Sequence, residues 1–259
     1  MTDRTDRDKY VKLDYAERWM RDGLSVVDAP GFFQSLEVDM SQGKAVIEKL
    51  RQAGVQVTYT HLFVRAVALV LARRPELHQL VSGTSKLLPG TVDIGLSISG
   101  SMFVAPVLVI RDAARKTLVE IAAEVAEKAP GIREQQEKFL ETIRKWGWLV
   151  PFGWLRRWYL RVLTRQLWFR RQGVGTFQVS CLPDVDQFVP LLFSTSAILG
   201  AGRVCDRVVA SDGQPRVTPT VILSCCADHK VWDGVKAATF LVELREVLVS
   251  QDLESIVTG

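Results

Sequence analysis

The apolar positions of this chain change period again and again, between about 3.6 residues and 2. That alternation narrows the possible folds more than any other feature. Helical spacing runs through residues 10–22, where Tyr10, Leu13, Ala16, Trp19 and Met20 recur at intervals of mostly three. It returns over Gln42 to Ala53, ended near Gly54, and over His61 to Arg74, with Thr60 placed to cap the start and Pro75 to stop the end. Ala114 to Ala129 reads as a helix ended by Pro130-Gly131, with a second helix over Ile132 to Lys145. Between these lie strand-like runs. Ser35 to Met40 is one, and Val92 to Ile98 and Val104 to Ile110 make a pair joined by a turn at Gly100-Ser101. Thr176 to Cys181, Ala197 to Ala201 and Val221 to Cys226 follow. Gly234 to Val249 closes the series with an apolar stripe through Ala237, Phe240, Leu241, Leu244, Val247 and Leu248. Helices and strands interleaved in this way, with no repeat and no Ser/Gly linker, predict an α/β sandwich: a mixed sheet with packed helices over residues 10–259. The polar residues 1–9 are expected to be loose.

Composition excludes several classes. With 47% apolar and 24% charged residues, 259 residues can bury a substantial core, so a disordered chain is excluded. Four cysteines, two of them adjacent at Cys225-Cys226, make no disulfide framework and show no metal spacing. With three histidines and no clustered thiols, no metal site is expected. The longest run without a polar residue is Met102 to Ile110, far short of the about 20 residues a membrane-spanning helix needs. The charged start MTDRTDRDKYVKLD lacks the apolar core of a secretory signal, so a cytoplasmic location is expected. The net charge of +4 is the sum of a segment, 138–171, that carries +8 and a remainder at −4. A charge so confined points away from nucleic acid and towards a local anionic contact.

The strongest local pattern is Asp228-His229-Lys230-Val231-Trp232-Asp233-Gly234, which follows an apolar strand and opens a helix. A histidine at a strand end can be held by backbone on one side and keep a ring nitrogen free, ready to move a proton near neutral pH. The alternative is a buried histidine bonded to main chain beside an N-cap aspartate. Ser180 invites two readings too, a strand hydroxyl tied to backbone or a free donor. No G-x-S-x-G elbow surrounds it, so it is not expected to be a nucleophile. Gly200-Ala201-Gly202 lacks the third glycine of a dinucleotide fingerprint.

The segment from Ala227 to Leu241, A-D-H-K-V-W-D-G-V-K-A-A-T-F-L, resembles the C-terminal signature D-H-R-x-x-D-G-a-x-A-A-x-F-L of dihydrolipoamide acyltransferases, the catalytic domains of 2-oxoacid dehydrogenase complexes. Chloramphenicol acetyltransferases share that fold and an H-x-x-x-D-G motif. Three further segments are similar to family motifs in family order: Val104 to Arg111, Gly175 to Ser180, and Ser196 to Arg203. The helix ending at Pro75 is a fourth. The resemblance implies a chloramphenicol acetyltransferase-like two-layer sandwich assembled as a trimer, with coenzyme A as acyl carrier. It implies His229 as general base, Ser180 as hydrogen-bond donor to the tetrahedral oxyanion, and direct attack without an acyl-enzyme. Asp233 would hold the active-site turn by pairing with a basic residue near the N-terminus, here Lys12. His229 would face Ser180 of a neighbouring subunit. A second function class, a non-catalytic scaffold subunit of such an assembly, would need neither His229 nor Ser180.

This sequence departs from the family in three places. The sequence starts about where the resemblance to the acyltransferase domain starts, so a lipoyl group is expected to come from a partner protein, or the acceptor to be another thiol or a hydroxyl. The family's glycine-rich stretch after the serine is replaced by Cys181 to Phe188. Residues 138–171 look like a helical insertion holding five of the seven tryptophans, Trp146, Trp148, Trp154, Trp158 and Trp168. From Leu155 onward, large apolar residues share one helical face, and Arg156, Arg157, Arg161 and Arg165 the other. That amphipathic pattern fits two positions. The helix can lie on a membrane surface, or it can pack its apolar face on protein with the arginines solvated or facing coenzyme A phosphates.

Overall fold

A computed structural model describes residues 12–27, 29–100, 104–211 and 213–259. The expected loose segment 1–9, Tyr10 of the first helix, and Ser101 of the expected turn lie outside these residues. The elements are α1 (Tyr15–Ser25), β1 (Gly31–Asp39), α2 (Ser41–Gln52), α3 (Tyr59–Arg73), β2 (Leu80–Ser82), β3 (Ser85–Leu87), β4 (Ile94–Ser97) and β5 (Val107–Ile110). They continue with α4 (Leu118–Trp146), α5 (Gly153–Arg165), α6 (Leu167–Val174), β6 (Phe177–Cys181), β7 (Ala197–Ala201), β8 (Cys205–Ser211), β9 (Gln214–Asp228), α7 (Gly234–Val249) and α8 (Leu253–Thr258).

One mixed sheet of seven strands organises the chain, in the order β1-β9-β7-β6-β4-β5, with β8 following β7 along the same side of β9. The β4–β6 and β6–β7 pairs are parallel; the others are antiparallel. Side chains alternate across this sheet. Val179, Leu199, Leu223 and Cys225 point to the core, where α3 and α7 cover them. Helix α3 is buried almost throughout, from His61 to Leu71, which explains its near-continuous apolar sequence. The α/β sandwich expected from periodicity is therefore the fold.

Three local expectations are corrected. Thr58, not Thr60, caps α3, and its N–H donates to His61 Nδ1 at 3.3 Å, which gives His61 a structural task. Pro130 does not end a helix: α4 runs through it for 29 residues. The proline is exposed, so water can satisfy the carbonyl that loses its partner. On the opposite side Ala129, Leu140 and Ile143 are buried and hold the helix on course. Strand β9 spans 15 residues rather than the six expected, because its first half forms a two-stranded arm with β8. In that arm Val208 and Val217 lie opposite each other and are both exposed while Arg207 is half-buried, so the apolar and polar residues do not alternate with burial and the sequence carries no strand signal there.

The Trp/Arg-rich segment begins inside α4 and continues through α5 and α6. In α5 the side turned to the protein is neither the arginine face nor the aromatic one but the strip between them, around Arg156, Leu160 and Leu163. Arg156, 5% exposed, donates from Nε to Asp22 Oδ2 of α1 at 2.7 Å, and Arg157 donates to Asp22 Oδ1 at 3.0 Å. The Arg156 Nη1 also reaches the carbonyls of Val150 and Pro151. Arg156 is the one buried arginine of α5; Leu155, Leu160 and Leu163 are half-buried beside it, while Arg157, Arg161 and Arg165 stand exposed with Trp154, Trp158, Tyr159 and Val162. Asp22→Ala would leave a buried guanidinium without its counter-charge, a change that costs about 3–5 kcal/mol in comparable sites. We expect a loss of that order in denaturant unfolding and faster proteolysis between α4 and α5; an unchanged midpoint would mean that α5 is not held through Asp22.

Candidate active site

Strand β9 delivers His229 to the surface. Its last nine residues pair with β1 on one side, in register from Asp39↔Thr220 to Gly31↔Asp228, and with β7 on the other. At the end of the strand, the Asp228 N–H donates to Ser196 O and, one residue on, the His229 N–H to Pro30 O, at 2.9 and 3.0 Å. The chain then turns tightly. The Val231 and Trp232 N–H groups both return to Asp228 O, and the Lys230 N–H donates to Asp228 Oδ1 at 3.0 Å. Trp232 is 1% exposed and packs with Phe177 and Phe240, ring centroids 6.1 and 5.4 Å away, so it anchors the turn in the core. Asp233 caps α7 by accepting from Lys236 N at 2.8 Å, and this bond, more than any other contact, holds its carboxyl below the usual range.

With its backbone fixed in this way, the His229 side chain is exposed. Its ring leans on Phe32, centroid 4.9 Å away, and forms no hydrogen bond within the described residues. The buried, main-chain-bonded alternative for His229 is thus excluded. Ser180 lies on β6, level with Gly200, Ser224 and Ser35 and on the same sheet face as they are. It is half-buried, and among the described residues its hydroxyl has no partner. The strand-serine alternative, tied to backbone, does not hold.

The structure does not bring Ser180 and His229 together within one chain. Ser180 is level with Ser224, five residues before His229, which puts the two about 16 Å apart along the strand and about 10 Å apart across it. Asp233 follows His229 in the same turn. The expected partner of Asp233 is corrected: among the described residues no bond joins it to Lys12, and Lys236 supplies both its backbone N–H and, at 3.7 Å, an ammonium.

Sequence reasoning missed what covers the Ser180 face. Residues 182–196 cross the sheet there, and they can do so because of two glycines. A Cβ at Gly200 would strike the Phe188 carbonyl, and one at Gly202 the Asp186 carbonyl. Gln187 of the crossing segment donates to Ser35 Oγ at 2.8 Å, and Ser35 and Ser224 share a hydrogen bond of 3.0 Å. All four cysteines are free; burial pushes the Cys181 thiol up to about 11 and raises that of Cys225, so neither is a nucleophile at neutral pH. Among the described residues no group of three or more metal-binding side chains is present, and no helix is long and apolar enough to cross a membrane.

The fold is shared with catalytic cores of 2-oxoacid dehydrogenase complexes. The structure matches the cubic core of a pyruvate dehydrogenase multienzyme complex at 22% identity and a TM-score of 0.69, covering 98% of this chain and 96% of that one. It matches Azotobacter vinelandii dihydrolipoamide acetyltransferase, studied for the role of a serine, a histidine and an asparagine in catalysis, at 21% identity and a TM-score of 0.70, with the same coverage. In sequence the chain is 28% identical over 212 residues to the dihydrolipoyllysine-residue succinyltransferase component of the A. vinelandii 2-oxoglutarate dehydrogenase complex. That match takes in 79% of this chain but 44% of the relative, so the chain spans less than half the relative's length. The chain belongs to the family of 2-oxoacid dehydrogenases acyltransferase (catalytic domain), which matches residues 11–142 and 171–256. Residues 143–170 stand outside the match and include α5.

Proposed function

We propose that this chain is a coenzyme A-dependent acyltransferase that works as a homotrimer or a multiple of one. The observation that carries this reading is a pair of unsatisfied side chains on rigid backbone, His229 and Ser180, too far apart to meet in one copy. Two copies related by a rotation axis bring one of each together. The exposed β8–β9 arm, with its Val208–Val217 pair, offers apolar surface for such a contact. The cubic assembly of one structural relative, which necessarily has three-fold axes, supports the trimer.

In this site the acceptor thiol or hydroxyl gives its proton to the free imidazole nitrogen of His229. The acceptor's sulfur or oxygen bonds to the carbonyl carbon of acyl-coenzyme A, and the carbonyl π pair moves onto oxygen. The neighbour's Ser180 donates to that oxyanion. As the carbon–sulfur bond to coenzyme A breaks, the oxyanion reforms the carbonyl and the imidazolium returns the proton to the departing thiolate. Nothing becomes attached to the enzyme. Asp233 is a positioning residue: it starts α7 and so fixes the turn that presents His229. In the A. vinelandii acetyltransferase the histidine and the asparagine stand four positions apart, as His229 and Asp233 do here. Relatives that act on dihydrolipoyllysine support a lipoyl-bearing partner protein as the acyl donor or acceptor. The scaffold alternative gains nothing from a histidine whose ring makes no hydrogen bond among the described residues.

The exposed tryptophans support a second element of the reading, a cytoplasmic enzyme resting on an anionic membrane surface through 146–171. Trp154, Trp158 and Trp168, each at least 59% exposed, are the side chains that favour a headgroup layer.

Acyl transfer from acyl-coenzyme A to dihydrolipoamide, followed by mass spectrometry, tests the catalytic part. His229→Ala should lower kcat by about 10²–10⁴-fold, and Ser180→Ala by about 10²–10³-fold with little change in KM. Wild-type turnover in His229→Ala would refute the mechanism. Vesicles containing phosphatidylglycerol should pellet the wild-type protein and release most of a Trp154→Ser/Trp158→Ser variant; equal pelleting of both would remove the membrane from the account.

A further inference from the structure

The nine basic residues of segment 138–171 have separable fates. Lys138 pairs with Glu134, Arg144 with Asp14, Arg156 and Arg157 with Asp22, and Arg171 with Asp93. Lys145 sits over the Trp146 ring, 5.5 Å from its centroid. Three arginines remain, Arg161, Arg165 and Arg170, and among the described residues none has an ion pair. All three line one cleft of about 790 Å³. Its other walls are the end of α1 near Ser25, the β2–β3 turn at Gly83, the 193–195 segment, and Asp228 and Lys230, which flank His229 in sequence.

Among the described residues the cleft is short of negative charge. Among its described lining residues Asp228 supplies the one carboxylate, and that already accepts from the Lys230 N–H. Arg170 donates to two neutral carbonyls, Ser194 O and Val81 O, both at 2.7 Å, and its other N–H groups have no partner among the described residues. Burial works against its charge. Arg161 and Arg165 stand one helical turn apart on α5, where like charges repel. The Thr164 hydroxyl between them donates to Leu160 O at 2.9 Å, which leaves the guanidinium groups as the donors on this wall. Guanidinium groups converging on a cleft present forked donors that match phosphate oxygens.

We propose that this cleft binds a phosphate-bearing ligand through Arg161, Arg165 and Arg170. All three belong to 143–170, outside the family match, so the site is this chain's own addition beside the histidine turn. The phosphate could be supplied by the diphosphate of a coenzyme A thioester or by an anionic lipid headgroup under the exposed tryptophans. Binding can be measured without turnover, so the proposal stands or falls apart from the acyltransferase reading.

Calorimetric titration of the full chain with pyrophosphate and with coenzyme A, and co-sedimentation with phosphatidylglycerol vesicles, test it. Arg161→Gln/Arg165→Gln removes two exposed charges that pair with no carboxylate among the described residues, and should leave the melting temperature unchanged. Arg165→Glu alone serves if the double variant folds poorly. Binding of pyrophosphate and coenzyme A that weakens tenfold or more in the variant, and weakens with added salt, supports the cleft as a site for the cofactor's phosphates. Vesicle binding alone lost in the variant supports it as a headgroup site. Absence of binding to all three probes, or binding that the variant retains in full, overturns the proposal.

Discussion

Strand β9 is the member on which the rest of the fold depends. Its second half is hydrogen-bonded on both edges, to β1 and to β7, so its position is fixed by two independent registers. One side of it lays Leu223, Cys225 and Ala227 into the core under the helices. The strand therefore has no freedom left when it ends, and the turn that follows inherits a set position. Trp232, wedged between Phe177 and Phe240, converts that turn from a surface loop into part of the core. A histidine carried there needs no side-chain bond to hold it, which leaves its ring available for proton transfer.

The same sheet determines where the hydroxyl can be. Ser180 is locked to Gly200 through the parallel β6–β7 pair, and Gly200 to Ser224 through β7–β9. No rotamer change moves Ser180 five residues along β9 to His229. A site that needs both must be shared between copies, and that requirement follows from register alone. The crossing of residues 182–196 over Gly200 and Gly202 then shapes the serine face, with Gln187 reaching the Ser35–Ser224 pair. That crossing is where the sequence departs from the family's glycine-rich stretch, so acceptor preference is expected to be set there.

Much of this was legible in the sequence, for reasons that differ by element. Helix α7 and the turn before it read clearly because an apolar strand, an N-cap aspartate and a regular apolar stripe all agree. Pro130 misled, since an exposed proline in a helix with a well-packed opposite side interrupts one bond without breaking the rod. The β8–β9 arm was invisible because its exposed side carries Val208 and Val217 and its half-buried side Arg207, so apolar residues do not mark the covered face. The periodicity of α5 separates arginines from aromatic residues but does not say that Arg156 alone of the arginines turns inward. Asp22, which decides that, lies 134 residues away in α1. Lys12 was expected to hold Asp233, whereas Lys236, three residues on, does so.

Mixing two inactive variants tests the central claim, that His229 and Ser180 act together across a subunit boundary. His229→Ala and Ser180→Ala chains, unfolded together and refolded, or co-expressed, would form mixed trimers under the proposed assembly. If each site takes its histidine from one copy and its serine from the next, about a quarter of the sites in a random mixture regain both residues. Acyl transfer should then return to about that fraction of wild type, while each variant refolded alone stays inactive. Mixed trimers that remain as inactive as either parent would contradict the shared site.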